Sequence, residues 1–290
     1  MMTIFYKESE IPEIHELEYL IKKINIIKPD LIIALGGGCA IDYAKLANGL
    51  HNIKNLKKKI KNGSLKLYSK KAKLLAIPTT AGSGAEVTRF CVIYINKTKY
   101  SVEDDLFKPD FFSLIPKLVM NSKNIIRASS GFDAIAQAIE SVFSKKANTK
   151  SLKYSLNSAS ISTKNYLKFV NAPNIINSKN MLNAAHLSGR AINIAKTNAP
   201  HALSYFFSSK FKIPHGFAVS IFFLEIIKFY YFKALKNKKK NLIKKFNLLF
   251  NSINCKNIYE FDNLFNKFYH QSGIKKYFYD LTKKKTISKN

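Results

Sequence analysis

Arginine is nearly absent from this sequence. Arg89, Arg127 and Arg190 are the three arginines among 48 basic residues, and the rest are lysine. Proteins that read base sequence rely heavily on arginine's two-pronged hydrogen bonding. The scarcity therefore argues against specific nucleic-acid recognition, despite a formal net charge of +30. The lysines also scatter along the whole chain, with dense runs at LKKKIKNG (56–63) and KALKNKKKNLIKKF (233–246). Lys, Asn, Ile, Phe and Tyr are abundant together, and all have A/T-rich codons. Drift in an A/T-biased genome, with most lysines on solvated faces, accounts for such a balance.

Cysteine is scarce too. Cys39, Cys91 and Cys255 are odd in number and far apart. They form neither a disulfide framework nor a paired metal knuckle, which fits a reducing cytoplasm. Uninterrupted apolar stretches are short. The most apolar segment, GFAVSIFFLEIIKFYYF, is broken by Glu225 and Lys228, whereas a membrane span needs about 20 apolar residues in a row. The opening MMTIFYKESEIPEI carries no apolar leader. These absences predict a cytoplasmic protein with no membrane partner. With 290 residues, 47% of them hydrophobic, the chain can bury a large core in one domain or two.

The periodicity changes along the chain. DLIIALGGG (30–38) reads as a buried strand entering a glycine turn, and AIDYAKLANGL continues at helical spacing. KLLAIPT (73–79) reads as a second buried strand that ends in the loop TTAGSGAEVT. CVIYIN (91–96) alternates like one arm of a hairpin whose other arm is KYSV. From about residue 120 helical spacing dominates. The pattern predicts an α/β dinucleotide-binding domain over 1–118 and an all-helical domain, bearing metal and substrate, over 119–290.

Three constellations carry chemistry. GGGCAID (36–42) follows a strand and opens a helix, where free N–H groups and the positive dipole end can receive a phosphate. TTAGSG (79–84) is a second small-residue loop at a strand end, rich in hydroxyls. GFDAIAQAIES sets Asp133 and Gln137 four residues apart, on one helix face. Asp133 also fits a helix start, because acids favour the first turn. Lastly, NAPHALSYFFSSKFKIPHGF holds His201 and His215 fourteen positions apart. In one continuous helix they would sit about 21 Å apart. A break at Ser208-Ser209 or at Pro214 would let the second fold back on the first. Asp133, Gln137 and the two histidines would then make a mixed O/N set suited to zinc or ferrous iron. Two separately hydrogen-bonded histidines remain the alternative.

Taken in order, these motifs resemble the iron-containing, or group III, alcohol dehydrogenases. GGGCAIDYAK is similar to the family's phosphate loop. IPTTAGSGAEVT, GFDAIAQAIE and HALSY…IPHG are similar to three further family motifs. The resemblance spans about residues 28–225. It implies a dehydroquinate synthase-like fold with Asp133, Gln137, His201 and His215 as metal positions. It also implies NADH or NADPH over Gly36, Gly37, Gly38, Cys39, Asp42, Thr79, Thr80 and Ser83, with Lys99 near the cofactor phosphates and ribose. Family members are often homo-oligomers, and they usually extend further at both ends, so the chain looks short by comparison. The family usually has histidine where this chain has Gln137 and Tyr205. Gln137, KTNAPHALSY and KYSVEDDLFKPDF are similar to the branch that reduces phosphonoacetaldehyde to 2-hydroxyethylphosphonate.

That resemblance implies metal-assisted reduction of a small aldehyde by NAD(P)H, with Tyr205 a candidate proton relay. Lys196 and Arg190, just ahead of His201, are candidates for a substrate phosphonate. A small-polyol dehydrogenase or a dehydroquinate synthase-like lyase of the same fold, a non-catalytic relic and a basic nucleic-acid-binding protein are the alternatives left open.

Overall fold

The computed structural model describes residues 2–9 and 11–287. The elements run α1 (Ile14–Ile27), β1 (Leu31–Gly36), α2 (Gly38–Gly49), α3 (Leu56–Lys61), β2 (Lys73–Pro78), β3 (Phe90–Ile95), β4 (Thr98–Glu103) and β5 (Phe111–Phe112). Helices follow: α4 (Pro116–Met120), α5 (Asn124–Phe143), α6 (Thr149–Asn171), α7 (Ile175–Ala195), α8 (Ala199–Phe211), α9 (His215–Lys236), α10 (Lys240–Ser252), α11 (Ile258–Gln271) and α12 (Ile274–Ile287).

β1, β2 and β5 form a parallel sheet in that order, with Gly36 opposite Pro78. This register sets the GGG loop beside the TTAGSG loop, and the Thr79 N–H donates to the Gly36 carbonyl at 3.0 Å. Strand C-termini of an open parallel sheet are where nucleotides bind. α2 packs on β1 and β2 and covers one face of the sheet. β3 and β4 form the expected hairpin, joined by Asn96 and Lys97, both at positive φ. That is the backbone a two-residue turn needs to match strand twist.

The helical part is built on α5, α6, α7 and α9. α6 and α7 start at reciprocal asparagine caps, Asn148 with Ser151 and Asn174 with Asn177. α5 is buried on every side from Gly131 to Val142, and its alanines let neighbouring helices close in. Phe132 packs edge-on to Phe223 and Phe265 in the core. The two parts meet where Gly84, at φ +61°, lies against Gly189 of α7. A Cβ on Gly84 would stand 2.5 Å from the Gly189 Cα.

The chain breaks between α8 and α9 at Lys212–Pro214, as the proline predicts, and not at Ser208-Ser209. Those serines lie inside α8. Ser209 Oγ bonds back to the Phe206 carbonyl at 3.2 Å, which lets the helix continue. Lys212 adopts the left-handed conformation and Pro214 caps α9, which leaves His215 as the first residue of α9. Gly216 then seats α9 on α5. A Cβ there would come within 1.9 Å of the Ser129 carbonyl oxygen, and the Gly216 N–H donates to Ser129 Oγ at 3.1 Å. Ser129 is one helical turn before Asp133, so this contact fixes His215 over the acid. Gly216→Ala should therefore destabilise the protein towards the upper end of the roughly 1–3 kcal/mol typical of overpacking. The backbone oxygen it would strike cannot rotate away. A denaturant midpoint equal to wild type would contradict this packing.

Candidate metal centre and cofactor cradle

Asp133, His201 and His215 converge from three helices. Each offers one ligand atom, and these atoms all lie within 4.8 Å of one another. Asp133 is the tenth residue of α5, not a helix-start acid. Its Oδ1 is 3.1 Å from His201 Nε2 and 3.8 Å from His215 Nε2. The two imidazole centroids are 5.4 Å apart. One carboxylate and two imidazoles, Asp133 and His201 buried and His215 37% exposed, form a donor set that fits a divalent zinc or ferrous ion.

Gln137 is beside this cluster but is engaged elsewhere. Its Nε2 donates to Asp133 Oδ2 at 3.1 Å, and its Oε1 accepts from Ser188 Oγ at 3.2 Å. In this arrangement its amide oxygen faces α7 and its nitrogen holds the acid.

The electrostatics follow from burial. Desolvation works to raise Asp133, but the His201 hydrogen bond and the charges of His215, His201 and Lys99 outweigh it and hold the carboxyl below its ordinary value. Burial works to lower His201, but Glu140 and Asp133 override it and raise the imidazole to about 10. His215 is pushed below the usual histidine range by burial and by the neighbouring cations.

Glu140 has no assignment from the sequence, yet it is fully buried and touches His201 Nδ1 at 2.5 Å. It lies seven residues after Asp133, on the same face of α5. That spacing is the signal that could have flagged it.

Around the trio, Tyr205 stacks on His215 with centroids 6.2 Å apart. Lys99 Nζ lies 3.4 Å above the Tyr205 ring. Burial raises Tyr205, with Glu140 and Asp133 adding to the effect, so its phenol keeps its proton. Lys196 and Arg190 have partners of their own. Lys196 pairs with Glu103 at 2.7 Å, and the Arg190 guanidinium covers Tyr154 at 4.4 Å.

The loops at 36–38 and 79–84 face each other at the ends of β1 and β2. α2 opens at Gly37, with no side chain capping it. Its first N–H groups can therefore meet a phosphate. A Cβ on Gly38 would come 2.9 Å from Ser83 Oγ, and one on Gly37 would come 3.3 Å from Thr80 Cγ2. Glycine at these positions lets the two loops pack this closely. Cys39 stands at the helix start, where burial pushes its thiol up to about 12 and makes it a poor nucleophile. Asp42 turns inward instead. It accepts from the Val92 N–H at 3.0 Å and lies 3.8 Å from Lys45 Nζ. Burial raises it to about 6 against the pull of Lys45. Lys45, also without an assignment from the sequence, ties down the second loop through Ala85 O (3.1 Å), Thr88 Oγ1 (3.3 Å) and Phe90 O (2.6 Å).

A family model described as iron-containing alcohol dehydrogenase matches residues 1–116, and one for the C-terminal part of that family matches residues 127–286. The chain belongs to the iron-containing alcohol dehydrogenase family. Among family relatives, it is 29% identical over 266 residues to the 4-hydroxybutyrate dehydrogenase of Clostridium kluyveri, covering 87% of this chain and 68% of that protein. It is 30% identical over 240 residues to the aldehyde-alcohol dehydrogenase 2 of Entamoeba histolytica, covering 79% of this chain and 28% of that one. A solved sulfoacetaldehyde reductase from Bifidobacterium kashiwanohense, in complex with NAD+, superposes with a TM-score of 0.84 at 25% identity. That match covers 94% of this chain and 71% of the other. The chain thus spans only part of the length of the family relatives it matches. No helix among the described residues is long and apolar enough to cross a membrane.

Proposed function

We propose that this chain forms the metal and cofactor sites of an NAD(P)H-linked reductase for small aldehydes that carry an acidic group, with phosphonoacetaldehyde as the leading substrate. The observation that carries this reading is the convergence of Asp133, His201 and His215 within 4.8 Å, with Lys99 stacked through Tyr205 onto His215. The three residues would hold zinc or ferrous iron, and Gln137 would steady Asp133 from behind. When bound, the metal supplies Lewis acidity to the aldehyde oxygen and the nicotinamide supplies hydride.

The chain's own groups do the rest. The N–H groups at the start of α2 receive the cofactor phosphates, with Thr79, Thr80 and Ser83 on the facing loop. Tyr205 keeps its proton at Oη and can give it to the substrate oxygen that hydride transfer leaves negatively charged, which completes the alcohol. Lys99, which the family resemblance sets near the cofactor phosphates and ribose, rests on Tyr205 beside His215, and here it supplies a cation for the acidic tail. Two relatives carry names that fit an acidic substrate, a 4-hydroxybutyrate dehydrogenase and a sulfoacetaldehyde reductase, and both support the class.

The test is cofactor oxidation by chelator-stripped protein, followed by nicotinamide absorbance. Turnover should be lost on stripping and return with added ferrous iron or zinc. It should favour phosphonoacetaldehyde over an uncharged aldehyde of similar size. Turnover of the uncharged aldehyde alone would keep the metal centre and remove the substrate class. No turnover with either metal, from a folded protein, would overturn the reading.

A further inference from the structure

We propose that Glu140 is a positioning residue for the metal centre, holding the His201 ring so that Nδ1 is engaged and Nε2 faces Asp133. The inference rests on the reading of Asp133, His201 and His215 as metal ligands.

Glu140 is fully buried within α5 and aims its carboxylate at the start of α8. Oε1 meets His201 Nδ1 at 2.5 Å, and Oε2 accepts the backbone N–H of Asn198 at 2.7 Å. Asn198 returns a bond from its Nδ2 to the Glu140 main-chain oxygen at 2.6 Å. Asn198 is the N-cap residue of α8, but its own side chain caps nothing. Glu140 therefore supplies the cap from another helix, and its charge suits the positive end of α8.

The contact constrains His201 chemically. An ionised carboxylate only accepts hydrogen bonds, so Nδ1 must carry the hydrogen that points at Oε1. That fixes Nε2 as the nitrogen left for a metal. Outer carboxylates that orient metal-binding histidines in this way also raise their basicity, and losing one typically weakens metal affinity 10- to 100-fold. Capping alone would require only Oε2. The second oxygen, spent on His201, goes beyond a cap and marks the residue as part of the site. Asp133, Gln137 and Glu140 then form one stripe of α5, the first placing a ligand atom, the second steadying that acid and the third steadying the opposing histidine.

Two measurements on the full chain test this. The first is zinc affinity of wild type and Glu140→Gln by competition with a chromophoric chelator, with folding checked by circular dichroism. The amide keeps the size but can accept from only one of its two donors. We expect zinc to bind Glu140→Gln about 10- to 100-fold more weakly. Equal affinity within twofold, in a folded variant, overturns the proposal.

The second is nitrogen-15 histidine spectroscopy of the metal-free wild type, which needs no variant to fold. It should show a downfield, exchange-protected His201 Nδ1–H. A purely structural cap would not produce that signature, and its absence overturns the proposal. If Glu140→Gln unfolds, Glu140→Asp withdraws the carboxylate by one methylene, keeps its charge, and is read on the same two axes. Wild type that binds no zinc defeats the metal-centre reading itself, and the positioning role with it. Zinc binding that is insensitive to residue 140 defeats only the positioning role.

Discussion

Asp133→Asn is expected to abolish tight metal binding and to slow turnover about a thousandfold. The substitution keeps the side chain's shape and removes its charge. Asp133 is the shared anion of the centre, within 3.1 Å of one histidine nitrogen and 3.8 Å of the other. A neutral amide is a weaker partner for zinc or iron, and metal stabilisation of charge on a substrate oxygen is worth several kcal/mol. About 4 kcal/mol is a thousandfold in rate. A second loss adds to this, because Gln137 Nε2 now donates to Asp133 Oδ2 and would face an amide that must choose one orientation. The variant should stay folded, since Asn at this site is the same size and Glu140 still pairs His201. Metal content by atomic absorption, turnover and circular dichroism decide the matter together. A folded Asp133→Asn protein that retains metal and rate would place the ion elsewhere.

The trio was legible through the family motifs rather than through spacing, which left two separately hydrogen-bonded histidines open and Asp133 as a helix-start acid. His215 follows the proline that ends one helix and starts another. The break at Pro214 was legible because proline's effect is local. Ser208-Ser209 misled because a short hydroxyl can satisfy itself inside a helix, as Ser209 does. The start of α5 was hidden for a related reason. Its N-cap, Lys123, makes no side-chain cap, so nothing in the sequence announced that Asp133 would fall nine residues further in. Glu140 and Lys45 were not assigned because their partners are remote. His201 is 61 residues from Glu140, and Ala85 is 40 from Lys45. The two-residue strand β5 gave no periodic signal and exists only through its pairing with β2. Arg190 and Lys196 were named for their nearness to His201 in sequence, and each has a partner elsewhere in the fold. Lys196 ends α7 at positive φ and turns to Glu103 instead.

If the proposed substrate class holds, Lys99→Met should cost the enzyme the preference for acidic aldehydes. Among the described residues, Lys99 has no carboxylate within ion-pair distance, and its ammonium rests on the Tyr205 ring. A largely buried cation held by an aromatic face still has donors to offer an incoming anion. Removing one partner of a buried charge pair costs about 2–5 kcal/mol, roughly 30- to 5000-fold in kcat/KM. The loss should fall on phosphonoacetaldehyde and leave an uncharged aldehyde of the same size nearly untouched.

The pH dependence should carry the same signature in the wild type. Burial pushes Lys99 down to about 8, against the opposing pull of Asp133 and Asp42. A bound divalent cation pushes it lower still. Lys99 is charged below that value and neutral above it. KM for the acidic aldehyde should therefore rise as pH climbs through about 8 or somewhat less, while KM for the uncharged aldehyde stays flat across that window. Lys99→Met should remove the break. An equal loss on both aldehydes, together with a raised KM for the nicotinamide cofactor, would instead assign Lys99 to the cofactor. The acidic tail of the substrate would then need another cation.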